Sequence, residues 1–84
     1  MNKYFLAVIQ DNNGQYRSVY FQGHSAYEAA QSFLDTMGLS DVGLDDALLE
    51  GESDLYDFVS VVCDEQYFKL LKMYSGPRPV SEIQ

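Results

Sequence analysis

The sequence predicts a small single α+β domain, ordered ββαβα, with ββαββ as the alternative. Three observations predict it. An alternating apolar segment precedes Asn13-Gly14 and another follows it. A capping box opens an apolar stripe at helical spacing near Ser25. A β-branched run, Val59, Val61 and Val62, lies further on. The domain spans residues 1–76, and 77–84 read as a flexible tail after the breaker Gly76-Pro77-Arg78-Pro79.

The first strand is expected over Lys3 to Gln10. Tyr4, Leu6 and Val8 share one face, and Phe5, Ala7 and Ile9 the other, because successive side chains alternate in a strand. Both faces are apolar, which predicts an interior strand. Asn-Gly is the strongest short hairpin signal, since a two-residue type I′ turn needs positive φ at both central positions. Such a turn pairs Val8 with Val19 and Leu6 with Phe21, and so puts these four on one face.

Ser25-Ala26-Tyr27-Glu28 reads as a capping box: Ser25 accepts from the backbone ahead and Glu28 reaches back. The helix that follows carries Ala26, Ala29, Ala30, Phe33, Leu34 and Met37 on one stripe, and Gly38 ends it as a left-handed cap. Leu44, Ala47, Leu48 and Leu49 suggest a short helix starting near Asp41 or Asp45, and Gly51-Glu52-Ser53-Asp54 reads as an exposed loop. Leu55 to Cys63 is expected as a third strand. Asp64 to Tyr74 alternates poorly. As a helix it gains a Tyr67, Leu70, Leu71, Tyr74 stripe, with acids at its start and lysines toward its end; a strand hairpinned to the third strand is the alternative.

Charge narrows the function. The 84 residues hold 13 acidic and 5 basic side chains, a net charge of −8. Such a chain is repelled by phosphate backbones and anionic lipid, so direct nucleic-acid or membrane binding is not expected. The surplus is also localised. Between Arg17 and Lys69 there is no Lys or Arg, and this stretch holds 11 of the 13 acids, so it carries −11 while the rest of the chain carries +3. Nothing approaches the roughly 20 apolar residues of a membrane span, and the lone Cys63 excludes an internal disulfide. A cytoplasmic protein is expected.

Catalytic patterns are sparse. A nucleophile–base pair would have to be built from the single Cys63 and the single His24, whose bland readings are a buried thiol and a turn histidine. Zinc needs paired Cys and His ligands. Asp41, Gly43, Asp45, Asp46 and Glu50 miss the register of an EF-hand loop. No enzyme, cofactor or metal is therefore expected. The remaining signal is the acidic stretch beside aromatic and Leu-rich segments. Asp41, Asp45, Asp46, Glu50, Glu52, Asp54 and Asp57 are the candidate partner-binding carboxylates, and Tyr56 and Phe58 the candidate apolar anchors. A polar rim around such anchors is a common interface design. The bland reading is a solvated face that keeps the chain soluble, although such faces ordinarily mix both signs.

The short hairpin Tyr4–Gln22, the helix Ser25–Met37 and the acidic stretch Asp41–Asp57 together resemble, in general plan, small phage or mobile-element inhibitors, among them anti-CRISPR proteins and DNA mimics. The resemblance implies a stoichiometric inhibitor, monomer or homodimer, that occupies the basic nucleic-acid-binding surface of its target. It carries over no individual residue. The competing expectation is an interaction or assembly module, a homodimer or complex subunit, whose acidity is incidental.

Overall fold

The computed structural model describes residues 2–45 and 48–77. Its elements are β1 (Lys3–Gln10), β2 (Tyr16–Gly23), α1 (Ala26–Met37), α2 (Glu52–Glu65) and β3 (Lys69–Gly76). They form an α+β fold: an antiparallel sheet ordered β2-β1-β3, with both helices packed on one face of it. β1 is the interior strand, as its two apolar faces require. The expected flexible tail falls on residues 77–84, of which 78–84 lie outside the described residues.

The hairpin forms, one residue out of the expected register. Phe5 pairs with Phe21 and Ala7 with Val19, while Leu6 faces Tyr20 and Val8 faces Ser18. The cause is Asp11. Its Oδ1 accepts from the backbone N–H of Asn13 and of Gln15, both at 2.9 Å, and Gly14 N donates to Asp11 O at 3.1 Å. Only Gly14 has positive φ, 83°. The loop is thus the three-residue type, a type I turn closed by a left-handed glycine. A one-residue slip turns a whole strand over, so Val19 and Phe21 join Phe5, Ala7 and Ile9 in the core, and Leu6 and Val8 lie on the outer face.

The core ties the layers together. Phe5 stacks on Phe21 with centroids 5.2 Å apart, and Phe21 meets Phe33 of α1 edge to face at 5.2 Å. Leu55, Val59, Val62 and Cys63 of α2 close the other side. α1 begins and ends as its caps dictate. Glu28 N donates to Ser25 Oγ at 3.2 Å, while the Glu28 carboxylate accepts from His24 N, one residue further back than the simplest box. Gly38 has φ 74° and Leu39 N donates to Leu34 O at 2.8 Å.

The second half departs from expectation. Residues 55–63 are helix, not strand, and the stretch read as a helix ends in strand β3, so the order is ββααβ. In the helix Leu55, Val59, Val62 and Cys63 share one buried stripe, whereas the strand reading would have put Asp57 on the core face. The supposed loop Gly51–Asp54 is the start of this helix, with Glu52 and Asp54 in its first turn, where carboxylates favour the positive end of the helix dipole. β3 alternates poorly because it is bulged. Val8 pairs with Lys72 but Ile9 with Leu70, so Leu71 is extra and the inside–outside parity resets there. A short helix starting near Asp41 does not form, since residues 39–45 run as a turn followed by irregular chain. A start near Asp45 would involve Asp46 and Ala47, outside the described residues.

The two long edges of the sheet differ. On β2, Ser32 Oγ accepts from Gln22 N at 3.2 Å, and the Thr36 hydroxyl lies 3.4 Å from Tyr20 O, so α1 covers that edge. β3 carries the bulge and two lysines instead. No described element covers the outer face of the sheet. Its centre is Tyr4, Leu6 and Val8, all half-buried, flanked by the exposed Tyr16 and Tyr20 on β2 and Tyr74 on β3.

Candidate partner-binding site

The chain turns sharply between α1 and α2, and this connection lays Gly43, Asp45, Leu48 and Leu49 alongside one flank of α2. That flank presents Asp54, Asp57, Phe58 and Val61, which recur at helical spacing. The result is an open cleft of about 400 Å³. Its floor and walls are apolar. Leu49 is buried and Phe58 half-buried, while Leu48 and Val61 remain 69% and 57% exposed. Three carboxylates, those of Asp45, Asp54 and Asp57, rim it. Asp54 has a structural duty as well, because its Oδ2 accepts from Glu50 N at 3.1 Å and so fixes the chain just before α2.

Of the nine residues singled out by sequence, four therefore converge: Asp45, Asp54, Asp57 and Phe58. Glu50 and Glu52 lie at a different recess, beside Lys3 and His24. Glu52 is already engaged. It forms an ion pair with Lys3 at 3.1 Å. The Ser75 hydroxyl donates to its carboxylate, and this bond, together with Lys3, lowers the Glu52 pKa below the ordinary carboxylate range. Glu52 thus joins the start of α2 to β1 and β3. Tyr56 is 40% exposed on α2 but does not line the cleft. Asp41 is exposed in the turn after α1 and does not line the cleft either. Asp46 lies outside the described residues. Sequence reasoning missed Leu48 and Val61 as anchors. In sequence Leu48 reads as part of a helix face and Val61 as part of a strand; the helical spacing of Asp54, Asp57, Phe58 and Val61 is the signal that could have found the flank.

The acids are segregated. Every described carboxylate of the basic-free stretch is exposed, and all of them lie on α1, on α2 or in the segments joining and following these helices. The outer face of the sheet carries none among the described residues; its charges are Lys69 and Lys72, by register with Gln10 and Val8. Lys72 Nζ sits 5.3 Å from the ring centroid of Tyr74.

Other chemistry is limited by burial. Cys63 is fully buried, and desolvation pushes its thiol up to about 11, so at neutral pH it is a neutral thiol rather than a nucleophilic thiolate. His24 is exposed just before α1. Among the described residues no group of three or more His, Cys, Asp and Glu side chains is disposed to hold a metal ion, and no helix is long and apolar enough to cross a membrane. In comparisons with protein-family models, curated proteins and solved structures, nothing matches the chain.

Proposed function

We propose that this chain is a non-enzymatic acidic protein of the cytoplasm. It binds a basic nucleic-acid-binding protein or nucleoprotein complex, such as a CRISPR effector, and inhibits it by occupying its nucleic-acid surface. One observation carries the reading: Asp45, Asp54 and Asp57 rim a cleft whose exposed walls are Leu48 and Val61. Lysine and arginine side chains of a target would meet the rim, where carboxylates accept guanidinium hydrogen bonds as phosphate does. The apolar walls would supply the contact area that charge alone does not. The concentrated negative stretch would speed encounter, and salt would slow it.

The test is affinity for a purified guide-loaded CRISPR effector, measured at low and high salt, for the wild type and for a triple Asp45→Lys, Asp46→Lys, Asp57→Lys variant. The variant keeps Asp54, which contacts Glu50, and Glu52, which pairs with Lys3. Rim charges contribute roughly 0.2–1 kcal/mol each, so the variant is expected to bind about tenfold or more weakly and to lose most of its salt dependence. Unchanged affinity in a variant with wild-type circular dichroism would remove the proposal.

A further inference from the structure

The outer face of the sheet is a second candidate surface, independent of the acidic cleft. It is apolar at its centre, where Leu6 and Val8 lie half-buried, and aromatic on β2, where Tyr16 and Tyr20 are 71% and 43% exposed. It is positive on β3, through Lys69 and Lys72. Uncovered, aromatic and free of carboxylates among the described residues, it has the composition of an interface core rather than of a solvated surface.

We propose that its occupant is a second copy of this chain, packed sheet to sheet about a two-fold axis running along the strands. The arrangement of charge favours this occupant and this axis. Such an axis lays β1 on its symmetry mate, so Leu6 and Val8 meet Leu6 and Val8 of the second copy. It also lays β3 of each copy over β2 of the other. Lys69 and Tyr16 both flank Gln10, and Tyr74 and Tyr20 both flank Leu6. Lys69 therefore comes over Tyr16 of the second copy, and Tyr74 over its Tyr20, a cation–π pair and an aromatic pair. A two-fold axis perpendicular to the strands through the centre of the sheet would instead stack β3 on β3 and β2 on β2 with their ends exchanged, setting Lys69 over Gly76 and Tyr16 over Gln22 of the second copy.

The net charge of −8 does not prevent this association. The described carboxylates, Asp11 in the β1–β2 turn apart, ride on the helical layers, which face outward in such a dimer. With sheets about 10 Å apart and a helical layer of similar thickness beyond each, the acidic surfaces stand roughly 30 Å apart, several Debye lengths at physiological salt. Three strands of eight residues present a face of about 14 by 27 Å, which is small beside a standard interface. The dimer is accordingly reversible and concentration-dependent, and it leaves both acidic clefts open. Single-stranded nucleic acid, which also stacks on aromatic sheet faces, fits less well, because two lysines make few phosphate contacts on so acidic a chain.

Sedimentation equilibrium of the full chain from about 5 to about 500 µM tests the proposal over the affinity range of a small interface. The apparent mass should rise from 9.5 kDa toward twice that value. Leu6→Lys should raise the dimer dissociation constant at least tenfold. The exposed pair Tyr16→Ala, Tyr20→Ala, which spares the core, should do the same if Leu6→Lys fails to fold. Asp45→Lys with Asp57→Lys, on the helical side, should leave self-association unchanged, so failure here and failure of the acidic-cleft reading are separable. A mass fixed at 9.5 kDa across the range overturns the proposal, whether or not the monomer then binds a fluorescent single-stranded oligonucleotide. A dimer indifferent to both sheet-face variants overturns it as well.

Discussion

Gly23 ends β2 and lies directly beneath the first turn of α1. A Cβ placed there would come 2.4 Å from Ala29 N and 2.8 Å from Glu28 C, both backbone atoms that cannot swing aside. Gly23→Ala should therefore cost about 1–3 kcal/mol by overpacking, which in a domain of this size lowers Tm by roughly 5–20 °C. Gly43→Ala is the matched control, because a Cβ there meets nothing within 4 Å; thermal unfolding of the two variants compares them directly. Tyr67 is the opposite case. It occupies the left-handed region, φ 64°, where Phe68 N donates to Cys63 O at 2.8 Å to close α2. Glycine is the usual residue at such a cap. The Tyr67 side chain is 81% exposed, so little packing is lost on removing it. Tyr67→Gly should stabilise the fold by about 1 kcal/mol in urea unfolding. Neither site was legible in the sequence. Nothing in the sequence around Gly23 marks a close approach, and Tyr67 reads as part of a helical stripe, because close approach and backbone sign appear only in three dimensions. Gly38 was legible, since a glycine after the last stripe residue has one common meaning.

At the scale of elements, the first half of the chain was readable and the second was not. α1 carries mutually consistent signals: cap, stripe and terminator. α2 and β3 carry conflicting ones. The valines of α2 favour a strand locally, and only burial of Leu55, Val59, Val62 and Cys63 against the sheet selects the helix. The parity of β3 is hidden by its bulge at Leu71. The cleft shared this fate. Its acids were visible as a run, but their convergence with Leu48 and Val61 depends on α2 being helical. The junction of elements at Glu52 gives a pH prediction. Its pKa is lowered by the Ser75 hydroxyl and by Lys3. A carboxylate depressed on folding contributes stability that is present above its unfolded value, near 4.5, and is lost as pH falls through the folded value. The side chains of the pair are about half exposed, so the contribution is small, under about 1 kcal/mol. Urea unfolding of wild type and Glu52→Gln should differ by that margin at pH 7, and the difference should shrink as pH falls below 4.5 and vanish once the lowered Glu52 value is passed. Cys63 acts in the other direction. Its thiol is raised by burial to about 11, so the stability it confers is complete below its ordinary value of 9.0 and declines as pH climbs toward 11. A thiol reagent should label Cys63 only on the timescale of unfolding.

Across the described residues charge is sorted between layers, with every carboxylate but Asp11 on the helical side and Lys69 and Lys72 on the outer sheet face. The ten described acids of the basic-free stretch repel one another within that layer, and this self-repulsion opposes folding. Raising ionic strength from 0.01 M to 0.15 M shortens the Debye length from about 30 to about 8 Å, which is shorter than the span of the acidic layer. Screening should therefore relieve repulsion among many carboxylates at once, while weakening a half-exposed pair such as Lys3–Glu52 by only a few tenths of a kcal/mol. The net effect is stabilising: Tm should rise by several degrees over that salt range and level off beyond it. Asp57→Lys, which places a cation inside the acidic layer next to Asp54, should raise Tm at low salt and flatten the salt dependence. A Tm that instead falls with salt would mean that attractive pairs outweigh repulsion, and that the acids of the helical layer do not act as one field. The same measurement bears on partner binding, because a cationic surface that covers the acidic layer would relieve the same repulsion that salt screens.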